Sequence, residues 1–435
     1  LEPVSDQPNI VICPDCDLLL PRIEAPYGYS VRCPRCGKRL IKQRKNSIQR
    51  TFALSLTGLL LYLPAILLPL MTFKSLGFSD SANVIESIVN FYKNDYYFVS
   101  LMVFLSALVF PLLLLTMSFT ISFNLQRKRY PSYLRPLFRS YLHLKEWAMI
   151  EVYLLGIMIT VIKMVDSTEI VYQPGLFCFT ALVVISLAAS TTIDRKYFWS
   201  KIGGDMSNPN SIIPAQPSNN GYITTARDQQ LSLCHICDKI GSSQHIGKGC
   251  PRCGETIHDR IPKSYGKTWA LLATSMLFFL PANLLPIMEV DFMGVPDRST
   301  ILDGIIYFFQ HDSFFIGLVI FTASILVPVF KIIGLSILLI SKSPCGSGYL
   351  KKKTIMYRFI AFIGRWSMLD VFVIALLTAL VDFGFFTSIH AAPAATYFCM
   401  VVASTMFAAI TFDPRIMWDN CSQLQPISTL KKHQP

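Results

Sequence analysis

Eight of the twelve cysteines fall into two sets whose spacing suits a metal ion. Cys13-Pro-Asp-Cys16 and Cys33-Pro-Arg-Cys36-Gly stand sixteen residues apart, and Cys234-His-Ile-Cys237 and Cys250-Pro-Arg-Cys253-Gly stand twelve apart. A Cys-x-x-Cys turn brings two sulfurs within about 2.3 Å of one ion, and two such turns fill the four positions of structural zinc. The expectation is one zinc per set and two per chain. Iron in a rubredoxin-like site is the chemical rival, and disulfides or a redox Cys-x-x-Cys are the other readings of the spacing. Four protein ligands leave no open position for a substrate water, so either site would hold structure rather than catalyse. His235 lies between two ligands but is not needed as a donor when four cysteines suffice. Cys178, Cys345, Cys399 and Cys421 lack paired spacing, and the two inside apolar runs read as small hydrophobic residues.

The elements that must position these cysteines occur twice. Leu63 to Met71 reads LPAILLPLM and returns as LPANLLPIM at Leu280 to Met288, an offset of 217 residues that also carries Cys33 and Cys36 onto Cys250 and Cys253. Further on the offset is 219, which takes Trp147 to Trp366, Asp194 to Asp413 and Trp199 to Trp418. Each half therefore reads as cysteine set, basic stretch and long apolar region. A period this long means two folded modules rather than a solenoid.

With 52% hydrophobic and 15% charged residues and a mean hydropathy of +0.45, the chain reads as a polytopic membrane protein. Eight apolar runs are each expected to cross about 30 Å of hydrocarbon as helix, four per half: 50–73, 97–123, 147–165, 174–193, 267–288, 313–340, 357–381 and 392–411. The expected architecture is an all-α polytopic membrane protein of two repeated four-helix units. A zinc ribbon covers 1–46, the first unit 47–202, a flexible linker rich in Asn, Ser, Pro and Gly 203–227, the second ribbon 228–262, the second unit 263–420 and a tail 421–435. Pro64, Pro69, Pro281 and Pro286 should break or kink the first helix of each unit. VIESIVNFY from Val84 and ILDGIIYFF from Ile301 should form short amphipathic helices at the outer membrane surface. The chain opens on Leu1 rather than methionine, which suggests a trimmed start, and no signal peptide is visible.

Loop charge sets the orientation. Lys38, Arg39, Lys42 and Arg44 precede the first run and Arg127, Lys128, Arg129 and Arg135 follow the second, whereas Asp80, Glu86, Asp95 and Glu169 fill the opposite loops. The second half repeats this bias, so both termini and both ribbons should be cytoplasmic. In a reducing compartment stable disulfides are rare, which favours metal over disulfide at the cysteine sets. The net charge of +12 then reads as a topology signal rather than as nucleic-acid binding.

Ionisable residues inside apolar runs are costly and are usually kept for a partner or a pathway. Lys331 lies about ten residues from the cytoplasmic end of its run, roughly 15 Å deep at 1.5 Å per residue. Ser324 stands two turns earlier on the same face, with Pro328 between them. Ser367 and Thr405 are placed to turn towards Lys331, although hydroxyls also bond back to their own helix. Leu114 occupies the equivalent of Lys331 in the first half, so the duplication has diverged there. Lys163 and Asp166 are spaced to pair near the outer end of the third run, where they either join a polar path or mark the interface.

The duplicated cysteine sets, each followed by LPxxLLPxM, and the segments EWAMIEVY and RWSMLDVF resemble the paraquat-inducible protein A family, more closely its LetA branch. The resemblance covers nearly the whole chain; His235 stands where a proline is usual and leaves the ligands intact. It implies a Gram-negative inner-membrane protein with cytoplasmic zinc ribbons and tetraspanin-like four-helix units, partnered by a periplasmic MCE protein that forms a lipid tunnel. No Walker loop, GxSxG elbow or HExxH is present, so the chain is not expected to be an enzyme. The expected function is a lipid transporter subunit that moves phospholipid between the inner membrane and that tunnel. The alternative is a zinc-dependent membrane scaffold or sensor with no transport path of its own.

Overall fold

The computed structural model describes residues 10–21, 29–42, 44–75, 78–164, 169–203, 225–292, 295–310, 314–340, 347–364, 368–380 and 387–419. The chain opens with two antiparallel hairpins, β1 (Ile10–Ile12) with β2 (Leu19–Pro21) and β3 (Ser30–Arg32) with β4 (Arg39–Lys42). Each hairpin carries one Cys-x-x-Cys pair in its turn. Helix α1 (Ser47–Leu67) leads away from this ribbon to β5 (Met71–Ser75), β6 (Phe78–Ala82) and the short helix α2 (Val84–Lys93). The chain returns through α3 (Tyr97–Val103), a π-helical turn at Phe104–Val109 and α4 (Phe110–Gln126). Next come α5 (Leu134–Leu144), α6 (Ile150–Met164), β7 (Glu169–Tyr172), α7 (Pro174–Thr192) and α8 (Arg195–Gly203).

The second half follows the same order. After the hairpin β8 (Leu231–Leu233) with β9 (Ile240–Ser242) come α9 (Ser264–Leu284), β10 (Met288–Phe292), β11 (Val295–Ser299) and α10 (Ile301–Gln310). Then follow α11 (Phe314–Phe321), a π-helical turn at Thr322–Leu326, α12 (Val327–Ile340), α13 (Ser347–Ile363), α14 (Leu369–Leu380), β12 (Thr387–Ala391), α15 (Ala394–Thr411) and α16 (Ile416–Asp419).

The chain is mostly helical, but the all-α expectation is corrected at the end of the helices remote from the ribbons. There β5 pairs antiparallel with both β6 and β7, and β10 pairs with both β11 and β12. Each sheet ties the exit of one long helix to the entry of another, since the Gln173 amide donates to the Leu70 carbonyl at 3.2 Å and that of Ala392 to Ile287 at 3.0 Å. At the opposite end a second repeated tie joins the same helices. Ser47 donates to the Thr192 carbonyl at 2.6 Å and Ser264 to that of Thr411 at 2.7 Å, and each hydroxyl also accepts the backbone N–H of the aspartate two residues further on.

Proline acts in two ways. Pro64 and Pro281 are tolerated inside the last turn of α1 and α9, and the helices stop before Pro69 and Pro286. Leu68 is extended with ψ 145° and Leu285 with ψ 156°, as a residue preceding proline must be. In the second long helix of each half, the π-helical turn precedes Pro111 or Pro328. The amides of Phe110 and Val327 reach back five residues, to Leu105 and Thr322, and so make room for the proline ring.

Among the described residues, five helices are long and apolar enough to cross a membrane: Ser47–Leu67, Tyr97–Gln126, Pro174–Thr192, Gly317–Ile340 and Ala394–Asp419. The seventh expected run, 357–381, is corrected. It is divided between α13, which carries Lys351, Lys352, Lys353 and Arg358, and the apolar α14. Its counterpart is α6, fifteen residues long. These two shorter helices pack on each other inside the molecule, where the rings of Tyr153 and Phe372 meet edge to face at 5.3 Å. Gly156 makes the approach possible, because a Cβ there would lie 3.3 Å from that of Phe372. In lipid, such close backbone packing rather than escape from water holds helices together. One apolar core runs through both halves, with Phe179 on one side and Phe398 on the other.

Candidate metal centres

The four sulfurs of Cys13, Cys16, Cys33 and Cys36 lie within 4.8 Å of one another and are buried, as are those of Cys234, Cys237, Cys250 and Cys253. Within the first set the Sγ atoms of Cys13 and Cys36 are 3.4 Å apart and those of Cys16 and Cys33 are 3.6 Å apart; in the second, Cys234–Cys253 and Cys237–Cys250 are both 3.5 Å. A tetrahedron with about 2.3 Å bonds has edges near 3.8 Å, whereas a disulfide brings sulfurs to about 2.05 Å. The residues fit a four-thiolate metal site, and all eight cysteines are free.

Backbone geometry shapes each knuckle. The amide of the first cysteine donates to a carbonyl beyond the turn, Cys13 to that of Leu18 at 3.0 Å and Cys250 to that of Glu255 at 2.7 Å. The residue after the second cysteine donates back to the first, as Asp17 does to Cys13 at 2.9 Å and Gly254 to Cys250 at 2.8 Å. Asp17, Gly37, Asp238 and Gly254 all have φ between 55° and 77°. Glycine and aspartate suit that left-handed position, which is why each Cys-x-x-Cys is followed by one of them. Four thiols this close cannot ionise independently. Burial holds Cys16 well above the ordinary thiol range, while hydrogen bonds from Cys13, Cys16 and Cys33 hold Cys36 below it. A divalent cation would remove that conflict by accepting all four as thiolates.

Each ribbon is seated on the half to which its position in the duplication does not belong. The first, with Cys13, Cys16, Cys33 and Cys36, packs on Leu350 and Trp418 of the second half. The second, with Cys234, Cys237, Cys250 and Cys253, packs on Phe138, Phe198 and Trp199 of the first. Trp418 is 1% exposed, donates through Nε1 to Thr354 Oγ1 at 3.1 Å, and lies under the Arg35 guanidinium at 4.4 Å. Arg358 bonds both Asp15, at 2.7 Å, and the Cys36 sulfur, at 3.2 Å. On the other side Arg195 donates to the Ile236 carbonyl at 2.7 Å and pairs with Asp238 at 3.5 Å, and Arg139 pairs with Glu255 at 3.5 Å. Cations beside the clusters complement their negative charge and fix their seats. His235 lies outside the four-sulfur set, and its Nε2 meets Arg415 at 2.8 Å.

The ribbons also touch each other. Leu18 bridges to Thr225, and Ile12, Ala226 and Leu233 form a small shared core. Arg260 links three parts of the chain, reaching Asp17 at 3.1 Å and Asp419 at 2.5 Å. Sequence reasoning missed these docking residues. Their signal was present in the arginine of both Cys-Pro-Arg-Cys motifs and in the tryptophans repeated 219 residues apart.

The expected polar residues are only partly brought together. Lys331 is fully buried on α12, and Thr405 is buried on α15, which packs on α12. Ser324 sits in the π-helical turn, where its hydroxyl donates to the Ile320 carbonyl at 2.7 Å; that of Thr405 donates to Val402 at 2.9 Å. Lys163 ends α6 as its penultimate residue, and Asp166 and Ser367 lie outside the described residues.

Fold and sites together define a multi-pass helical membrane protein with two buried four-cysteine centres. The family model for paraquat-inducible protein A matches twice, at residues 48–203 and 265–422, and the chain belongs to that family. It is 34% identical over 412 residues to the intermembrane transport protein PqiA of Escherichia coli (strain K12), covering 94% of this chain and 95% of that one. It is 34% identical over 408 residues to lipophilic envelope-spanning tunnel protein A of the same strain, covering 94% and 90%. A probable intermembrane transport protein of Haemophilus influenzae is 27% identical over 424 residues, covering 94% and 96%. No solved structure matches.

Proposed function

We propose that the chain is the inner-membrane subunit of a lipid transport system, moving phospholipid between the inner membrane and a periplasmic MCE-type tunnel protein, and that it is not an enzyme. The observation that carries this reading is the similarity, across 94% of the chain, to proteins named for intermembrane transport and for an envelope-spanning lipophilic tunnel. Residues 47–202 and 263–420 form two four-span units, joined by a linker at 203–227 and ending in a tail at 421–435. The ribbons, 1–46 and 228–262, lie in the cytoplasm with both termini, on the side of the basic Arg127, Lys128 and Arg129. Each holds one zinc through its four cysteines, and zinc supplies folding energy rather than chemistry.

Within the second unit, Lys331, Ser324, Ser367 and Thr405 form a polar path, and Lys163 with Asp166 a second polar point in the first. Its support is the complete burial of Lys331 on a helix that crosses the membrane, since a charge at such a place costs on the order of 3 kcal/mol or more unless it is compensated. Purified protein in liposomes, with fluorescent phospholipid and the tunnel partner, tests the reading: transfer should require both proteins. Lys331→Met should keep membrane abundance and lose transfer. Abundance falling in step with activity would reduce Lys331 to a structural role, and full transfer at full abundance would refute the path. No transfer by any combination would leave the scaffold reading.

A further inference from the structure

The short helices α2 and α10 stand at the far ends of the long helices, on the side away from the ribbons, because α1 and α9 run from the ribbon side to the sheets that precede them. At ten residues each is about 15 Å long, too short to span. Both begin the same way. Asn83 donates its backbone N–H to Glu86 at 2.9 Å, and Thr300 donates to Asp303 at 3.0 Å, so the acidic residue of each helix is spent on its own first turn. One face then packs inward, through Val84 and Phe91 in α2 and Ile301 and Ile305 in α10.

A second face is apolar yet open. Ile85, Val89 and Tyr92 are 39%, 39% and 62% exposed, and Leu302, Ile306 and Phe309, at the same places in the repeat, are 45%, 50% and 39% exposed. The spacing of four and then three residues keeps each set on one stripe. Neither stripe ends with its helix. Tyr92 meets Tyr97 edge to face with ring centroids 5.2 Å apart, and Phe309 meets Phe314 at the same separation. From Tyr97 the exposed stripe continues down the second span through Leu101 and Phe104, and from Phe314 through Leu318. On a helix that crosses a membrane, an exposed apolar stripe faces lipid. The short helices therefore extend a lipid-facing surface around a corner, with an aromatic pair at the bend, where such rings favour the boundary between headgroups and acyl chains.

We propose that α2 and α10 are interfacial helices whose ligand is the phospholipid surface of the leaflet opposite the ribbons. Their stripes lie in its headgroup and acyl boundary, about 5–10 Å deep. The pair fixes the height of each half in the bilayer and places outer-leaflet lipid against the outer ends of the long helices. This inference rests on the reading of the chain as a membrane-spanning transport subunit, but needs only the membrane part of it.

The test uses Tyr92→Trp in the full chain, reconstituted in phospholipid nanodiscs containing lipids brominated either near the carbonyl or deep in the acyl chain, with the unsubstituted chain as background. Shallow bromine should cause the larger loss of the new fluorescence, and acrylamide should cause little. Leu302→Trp repeats the measurement in the second half if the first variant fails to fold. Strong acrylamide quenching with no bromine effect would overturn the proposal. So would a tryptophan that lipid quenches only until the tunnel partner is added, since the stripe would then be a protein-docking face. Lipid transfer is read separately: its absence with bromine quenching intact would remove the transport reading and leave the interfacial helices standing.

Discussion

Replacing Trp418 by alanine should loosen the first ribbon and leave the second in place, although Trp418 stands near the end of the second half. The side chain is 1% exposed, its ring carries Arg35, and its N–H bonds Thr354. Truncating a buried tryptophan costs about 3–5 kcal/mol, which includes the lost packing, and the cation over its face adds about 0.5–2 kcal/mol. Taking about 3 kcal/mol as the part that falls on ribbon docking, and tenfold per 1.4 kcal/mol, local opening of the first ribbon should rise on the order of 100-fold. Hydrogen exchange of the purified full chain reads this directly. Amides of β1 to β4 should exchange faster by about that factor, those of β8 and β9 should not change, and two metal equivalents should remain bound. Trp418→Phe keeps a ring beneath Arg35 but loses the N–H, and should fall between. Trp199→Ala should give the mirror result, freeing the second ribbon. Unchanged protection of the first ribbon in Trp418→Ala, or loosening of the second instead, would refute the exchanged seating.

Cys250→Ser should lower bound metal from two equivalents to about one per chain and reduce abundance, because a structural metal supplies folding free energy; metal analysis of the purified variant checks it. Arg260→Met strips the guanidinium from Asp17, whose side chain is only 7% exposed and whose carboxyl burial already holds above its ordinary range against the pull of Arg260. Breaking such a pair costs about 3–5 kcal/mol, and Arg260→Lys should recover only part because a point charge does not serve both Asp17 and Asp419; denaturant unfolding of the three chains decides it. Gly175→Ala should sharply reduce folded protein, since its Cβ would fall 2.3 Å from the Pro69 carbonyl oxygen, whereas Gly266→Ala meets nothing within 4 Å and should be neutral; thermal stability in detergent separates them.

What is local or periodic in this chain can be read along one dimension. Four Cys-x-x-Cys turns declared two four-cysteine clusters because a knuckle needs only five residues, with glycine or aspartate last to supply the left-handed backbone. Apolar runs declared the long helices, and a 3.6-residue rhythm declared α2 and α10. The duplication was legible because its two copies share the same spacing. The outer sheets were not, since their strands are at most five residues long and gain their pairing from helix ends brought together by the bundle.

Where the seventh helix begins, and which ribbon serves which half, depends on contacts that form only when the chain is folded. Tyr357 and the residues around it read as membrane on hydropathy, yet Arg358 sits beside them to reach Asp15, 343 residues away, so α13 belongs to the ribbon's seat and the apolar helix starts at Leu369. The exchange of ribbons is likewise invisible in one dimension. Arg35 over Trp418 and Arg260 between Asp17 and Asp419 are contacts between distant segments, and no spacing records a partner that only the folded chain brings near.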